Sequence, residues 1–451
     1  MAEPADDSTK PSASPDPVAI LKSRGYVALL LFGAIIGIPV ATVAYFFLKW
    51  VAEAQQYFFT TLPKDLGFAT EPTWWPLPLL AVSGLLVALT IRRLPGTAGH
   101  EPAKGFKASG PVRPIDLPGI IIASFATLSL GVVLGPEAPL IAIGSGLGVL
   151  AFHFLKKDAA PQAVMLIGAA GSFAAISTLL GSPLAGAFLL MEAAGLGGAM
   201  MSVVLVPGLL AAGIGTLIFV GLDNLTGFGT FSLAVPDIPT FTTPTLAELL
   251  WAVGIGLVAA VLGTAIRRLA LYLQPIVARR RVLLTPIAGL AIGVLAVVFA
   301  EGSGRSSSEV LFSGQSALPS LIQEAAGWTV GALLLLIICK GLAYGIALSG
   351  FRGGPTFPGM FIGAVGGIAL SHLPGLPMIA GAAMGIGAMT VVMLGLPLTS
   401  VLLTMVFLQS DGLALTPLVI VAVVVAYVAS KRIEPDQVAE TAPASAGAHP
   451  R

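Results

Sequence analysis

The chain is 451 residues long and carries 45 charged side chains, 23 basic and 22 acidic, for a net charge of +1, and 56% of it is apolar. At 10% charged, against about 25% in an ordinary soluble domain, it cannot cover the surface of a soluble globule of this size. Composition therefore excludes a soluble globular enzyme, and equally a disordered chain and a nucleic-acid binder, whose basic excess is missing.

What remains is an all-α polytopic membrane protein. A spanning helix takes about 20 mostly apolar residues. In chain order the uncharged runs are 26–48, 75–91, 117–136, 138–155, 159–191, 193–222, 249–266, 282–300, 353–410 and 412–430. The run 353–410 is 58 residues, enough for two or three passes or half-passes. The alternating ten-residue strands of a membrane barrel are not seen. Residues 1–24 are acidic, rich in Pro and Ser, and lack a signal-peptide core. Residues 431–451 are low-complexity, rich in Ala and Pro. Both read as disordered cytoplasmic tails around a membrane domain at 25–430. Cys339 is the only cysteine, so no intrachain disulfide forms, and it reads as packing.

Basic residues mark cytoplasmic loops. They cluster at Lys22 and Arg24, from Arg92 and Arg93 to Arg113, at Lys156 and Lys157, from Arg279 to Arg281, and at Lys431 and Arg432. Residues 223–248 carry Asp223, Asp237 and Glu248 but no Lys or Arg. That loop is placed outside, with both termini in the cytoplasm and the chain in the cell (inner) membrane.

The sequence repeats itself. GPEAPLIAIG at 135–144 resembles GPTFPGMFIG at 354–363, and each Pro, Pro139 and Pro358, is followed by glycines five and nine residues on. Gly181-Ser182-Pro183-Leu184 resembles Gly395-Leu396-Pro397-Leu398. The offsets, 219 and 214 residues, agree. Two halves follow, about 25–225 and 245–430. Matching Gly/Pro-interrupted apolar segments in two halves point to a transport site. A helix opening at each Pro would present free N–H groups and a partial positive charge in mid-membrane, an anion site that needs no buried Lys or Arg. The plainer reading of either pair alone is a kink with close packing.

Glu137 interrupts an otherwise uncharged stretch, 117–155, two residues before Pro139. A charge near mid-membrane costs about 2.5–3.5 kcal/mol on insertion scales, and a helix N-terminus offsets part of it. A carboxylate there would compete with a bound anion and release the site on protonation, making Glu137 a gate and proton carrier; the alternative is an N-terminal cap near the interface. Glu192 reads equally as a buried proton site or an interface residue. Lys340 and Arg352 read as side chains snorkelling to water at a cytoplasmic helix end, or as attractors of anions. The histidines, His100, His153, His372 and His449, are scattered, and His100-Glu101 has no second His at metalloprotease spacing. Gly144-Ser145-Gly146 lacks a base partner and reads as helix packing. No nucleotide loop, metal cluster or redox motif is seen, and no cofactor is expected.

Gly135-Pro136-Glu137-Ala138-Pro139 resembles the GREGP gating motif of the CLC chloride channel and transporter family. GPTFP at 354–358 resembles that family's GxFxP-type segment, and Ser182-Pro183-Leu184-Ala185-Gly186 with Glu192 resembles the helix after its gate. The likeness spans nearly all of 25–430 in the right order, for a member without CBS domains. It implies an antiparallel, inverted repeat of tilted and broken helices, and a homodimer with one complete pore per subunit in the lipid bilayer. The resemblance makes Glu137 the gate glutamate, with Gly135, Ala138, Thr356 and Phe357 binding chloride or a similar anion, and Glu192 a candidate proton relay. The chain departs from the family at several points. Pro136 replaces the motif's arginine, and Pro355 removes another N–H. The GSGIP motif survives only as Gly99-His100-Glu101-Pro102, and the pore tyrosine has no counterpart nearer than Tyr427. The antiporters' internal proton glutamate falls on Ala193. Another halide or nitrate is then open as substrate. The leading expectation is a chloride-type channel gated by Glu137; the alternative is a proton-coupled anion antiporter using Glu137 and Glu192, and a distant one an intramembrane enzyme or scaffold.

Overall fold

The computed structural model describes residues 22–106, 110–157, 160–195, 199–227, 241, 243–408 and 412–434. The tail segments 1–21 (with nearly all of the first expected tail) and 435–451 (with His449), and 228–240 and 242 of the loop placed outside, lie outside the described residues.

The helices are α1 (Arg24–Gln56), α2 (Pro76–Arg93), α3 (Leu117–Ser129), α4 (Glu137–Leu155), α5 (Pro161–Leu180), α6 (Pro183–Ala193), α7 (Ala199–Thr226), α8 (Leu246–Arg279), α9 (Arg281–Ser303), the short α10 (Leu318–Gln323), α11 (Val330–Gly350), α12 (Thr356–Leu370), α13 (Met378–Leu394), α14 (Pro397–Leu408) and α15 (Gly412–Ile433). Nine of the described helices are long and apolar enough to cross a membrane. The uncharged run 353–410 holds three, α12, α13 and α14.

Apart from α10, helices α8 to α15 repeat the order of α1 to α7. Each series opens on a long helix, 33 residues in α1 and 34 in α8. At 1.5 Å per residue either is about 50 Å long, well beyond a hydrocarbon core of about 30 Å, so each is long enough to cross it with tilt or with an end projecting past it. Ser23 caps α1 by accepting the Tyr26 N–H at 3.1 Å. Thr245 and Glu248 form a reciprocal capping box on α8. Packing repeats with the order: α4 packs on α5 and α12 on α13, and α1 packs on α7 and α8 on α15. Equivalent helices also meet across the halves, α2 on α9 and α6 on α14.

With lipid as apolar as the side chains, the helices are held mainly by close packing. Small residues permit it. Gly144 of α4 lies against the Gly171 backbone of α5, as Gly363 of α12 does against Gly385 of α13. Residues 379–394 of α13 are all buried; a helix apolar on every side belongs at the centre of the bundle. Both α5 and α13 end on a glycine in the left-handed region, Gly181 (φ 62°) and Gly395 (φ 72°). Only glycine takes that turn without a Cβ penalty, and the following Pro183 and Pro397 start α6 and α14 at once. Cys339 is buried in α11.

Candidate functional site

Two helix breaks meet at the centre. The chain leaves α3 at Ser129 and re-enters helix at Glu137; it leaves α11 at Gly350 and re-enters at Thr356. Between them, Gly135 and Gly354 form an isolated antiparallel bridge. The Gly135 N–H donates to Gly354 O at 2.8 Å and the Gly354 N–H to Gly135 O at 2.6 Å. Next in each break comes a proline in nearly the same conformation, Pro136 (φ −84°, ψ −3°) and Pro355 (φ −90°, ψ −4°). Both helices therefore begin two residues before the expected Pro139 and Pro358. Those prolines sit in the first turn, where an N–H has no intrahelical acceptor to lose.

Glu137 is thus the first residue of α4, fully buried. Its Oε1 accepts the Phe357 N–H, from the first turn of α12, at 2.9 Å. Among the described residues its Oε2 has no hydrogen-bond partner, and neither has Thr356 Oγ1. The carboxylate lies between Gly135 and Gly354, and a Cβ on either would overlap it. Nearby, the Tyr344 hydroxyl donates to Pro355 O at 2.5 Å. The structure brings together Gly135, Glu137, Thr356 and Phe357, with Ala138 beside them in the first turn of α4. The Gly135 N–H is committed to Gly354, so Gly135 offers the site room rather than a donor.

A cavity of about 440 Å³ opens beside this junction, lined by Ala138, Pro139, Ser145, Gly99, Arg352 and Gly353 among others. Arg352 is only 4% exposed. This corrects the snorkelling reading: the side chain turns inward because carbonyls wait there. Its Nε donates to Thr97 O at 3.2 Å and its Nη1 to Phe351 O at 3.1 Å. At the cavity's loop end, Glu101 pairs with Lys104 at 3.0 Å and Arg281 at 3.7 Å, and accepts from Gln274 Nε2 at 2.7 Å. Burial works against the Glu101 carboxylate's charge, but the Lys104 hydrogen bond and the surrounding Arg352, Lys104 and Arg281 charges outweigh it and hold its pKa below the usual range.

Lys340 corrects the same reading. It is 1% exposed, and its Nζ donates to the carbonyls of Leu311 at 2.8 Å, Glu309 at 2.9 Å and Val310 at 3.0 Å. It also lies 4.5 Å from the Phe361 ring centroid. A buried ammonium persists where its three protons find acceptors, and the loop at 309–312 supplies them. Glu192, at the end of α6, sits at the other cross-half contact. Its carboxylate accepts the Leu398 N–H at 3.0 Å, the Thr399 N–H at 2.7 Å and the Thr399 hydroxyl at 2.6 Å. It therefore caps α14, and no described hydrogen bond joins it to Glu137.

Sequence reasoning named Arg352 as a snorkelling side chain or an attractor of anions but did not place it on the wall of this cavity, and it missed Tyr344 and the Gly135–Gly354 bridge. The repeated glycine at the 219-residue offset was the one signal for the bridge; nothing local marks Tyr344.

A multi-pass helical membrane protein, with two broken helices of an inverted repeat facing each other across a buried carboxylate, is the class these features define. The voltage gated chloride channel family model matches residues 83–431, and the chain belongs to that family. The candidate ion-transport protein YfeO of Salmonella newport (strain SL254) is 30% identical over 367 residues, covering 79% of this chain and 84% of the relative. The YfeO of Salmonella typhimurium (strain LT2) matches to the same extent. Among solved structures, a slow cyanobacterial chloride/proton antiporter aligns at TM-score 0.71 and 20% identity, covering 90% of this chain and 94% of that one. A CLC-type fluoride/proton antiporter aligns at TM-score 0.69 and 20% identity, covering 90% and 96%. These likenesses establish the CLC fold.

Proposed function

We propose that this chain carries chloride or a similar small anion across the membrane along the junction of α4 and α12, with Glu137 as the gate. One observation carries the reading: Glu137 Oε1 already occupies an anion's seat, accepting the Phe357 N–H at 2.9 Å in a pocket that glycines keep open. First-turn N–H groups are natural anion donors, and a carboxylate held on one competes with any anion that arrives. Gly135, Ala138, Thr356 and Phe357 are the proposed lining. Passive conduction is favoured over proton-coupled exchange because Glu192 is engaged in capping α14 and position 193 is Ala. Proton coupling is the second reading, supported by the two antiporters that share the fold. We further propose halves at 25–225 and 245–430, a homodimer with a pore in each subunit, a place in the cell (inner) membrane and cytoplasmic termini, as the distribution of Lys and Arg indicates.

The test is reconstitution in liposomes with a chloride, fluoride or nitrate gradient, recording anion and pH together under voltage clamp. Anion flux without uphill proton movement is expected. Protons driven uphill by the anion gradient would replace passive conduction with antiport, and no flux of any of the three anions would overturn both. Glu137→Gln is expected to make anion flux insensitive to external pH; a pH dependence that survives intact removes Glu137 from the gate.

A further inference from the structure

The two halves are not equally packed. In the first, α1 lies against α4; in the second, its counterpart α8 makes only slight contact with α12. A cavity of about 790 Å³ occupies the gap, walled by α8, α11, α12 and α13. On α12, Gly363 and Gly367 press on the backbones of Gly385 and Gly381 in α13, while a Cβ on Gly366 would meet nothing within 4 Å. The residue of α4 at the same place, 219 positions earlier, is Leu147, partly buried and packed on the core. One half fills this position with a side chain and the other leaves it open.

The chemistry of the walls limits what can fill that space. Every described lining residue is apolar or glycine except His372, whose Nδ1 turns back to within 3.1 Å of Ile368 O in its own helix. Such walls offer water almost nothing to bond, and apolar cavities stay dry and take apolar guests. Left empty, the walls would lose dispersion contacts on one side. The cavity is continuous with the outer surface of the bundle, where Leu257, Val258 and Val261 of α8 and Leu334 of α11 are 49–60% exposed. Its α8 wall and all of α12 fall in the uncharged runs 249–266 and 353–410, so the opening lies at hydrocarbon depth. Along α8 it extends from Ile255 to Ala265, about 15 Å at 1.5 Å per residue. That is half of a hydrocarbon core of about 30 Å, the depth of one leaflet. The His372 end is the interfacial one: Trp251 Nε1 donates to Pro374 O there at 3.3 Å, and indoles settle at the membrane–water boundary.

We infer that this cavity is a binding site for one acyl chain of a membrane phospholipid, which enters sideways from its leaflet with the head group at the His372 end. The chain supplies the packing that Leu147 supplies in the other half. It backs the Gly366 face of α12, the helix whose first turn carries the Phe357 N–H bonded to Glu137. The site depends on the membrane fold alone and not on the role of Glu137 as a gate.

The experiment reconstitutes the unaltered full chain in phosphatidylcholine whose acyl chains carry bromine, crystallises it from that bilayer and maps bromine by anomalous scattering. A peak beside Gly366, between α8 and α12, is expected. Bromine found on the membrane-facing surface but not in the cavity overturns the inference, and so does a second copy of the chain seated there. A cavity peak obtained with brominated free fatty acid but not with brominated phosphatidylcholine overturns the phospholipid assignment. None of these outcomes depends on the folding of a variant. Gly366→Leu then places in the cavity the residue that the first half carries. The cavity peak is expected to be lost while bromine elsewhere on the surface stays. A peak that remains in Gly366→Leu, with the leucine ordered in the cavity, shows that the chain lies outside it and overturns the site.

Discussion

Gly135 and Gly354 hydrogen-bond to each other twice, each donating its N–H to the other's carbonyl, at 2.8 and 2.6 Å. They are equivalent residues of the two repeats, 219 positions apart. A reciprocal bond between equivalent residues is what a two-fold axis passing between them produces. The same axis explains why α2 meets α9 and α6 meets α14. The bridge joins the two helix breaks at their closest approach, and so fixes the first turn of α12 against the carboxylate that begins α4.

Gly354→Ala tests that arrangement. The new Cβ would overlap Glu137 Oε2, and overpacking of this kind costs about 1–3 kcal/mol. The expected result is a lower thermal midpoint and altered anion flux. Removing the obstructing carboxylate in Gly354→Ala/Glu137→Ala should recover much of the midpoint. Equal and additive losses in the single variants would show that the glycine and the carboxylate do not press on each other.

Lys340→Met removes the ammonium that gathers the carbonyls of Glu309, Val310 and Leu311. Stripping one partner from a buried, fully bonded charge leaves acceptors unsatisfied, at a cost of about 3 kcal/mol. The loop should loosen, which faster trypsin cleavage after Arg305 would report alongside a fall in thermal midpoint. A midpoint equal to that of the unaltered protein would mean water replaces the lysine without penalty.

The reach of the sequence reading can be judged from these residues. The breaks were legible because proline and glycine act locally: Pro139 and Pro358, with the glycines after them, located α4 and α12 to within two residues. The remaining shift came from Pro136 and Pro355, whose near-zero ψ starts the helix directly. Glu137 was legible because one charge in a long apolar stretch stands out. The burial of Lys340 and Arg352 was not, because it depends on backbone carbonyls some 30 and 255 residues away in sequence, beside the adjacent Phe351 carbonyl for Arg352, and a carbonyl leaves no mark on a sequence. Glu192 was visible as an isolated charge, but its capping of α14 depends on a contact between the halves.

Glu71 gives a pH dependence with a definite sign. It lies in the loop before α2, within hydrogen-bond reach of Ser307 Oγ at 3.3 Å and Ser308 Oγ at 3.4 Å. Burial pushes its carboxyl from 4.5 up to about 7, against the two serine hydroxyls, which favour the charged form. Between those values the folded chain binds more protons than the unfolded one, so stability falls as pH rises. Glu71's contribution is fully present below pH 4.5 and is lost as pH passes about 7. The thermal midpoint in detergent should decline across this window, and Glu71→Gln should flatten the decline. A slope unchanged in Glu71→Gln would assign it to other groups.

Glu192 can be separated into a cap and a proton carrier by one substitution. As a cap it accepts from Leu398 N–H, Thr399 N–H and the Thr399 hydroxyl, and truncating such a residue costs about 0.5–2 kcal/mol. Glu192→Ala should therefore lower the thermal midpoint, and Thr399→Val should lower it by less because the two backbone donors keep their acceptor. A residue that only caps α14 leaves the pH profile of anion flux, normalised to folded protein, where it was, and that is the expected result. A profile displaced by Glu192→Ala but not by Thr399→Val would mean that Glu192 takes and releases a proton during transport, and antiport would then displace passive conduction as the reading of this chain.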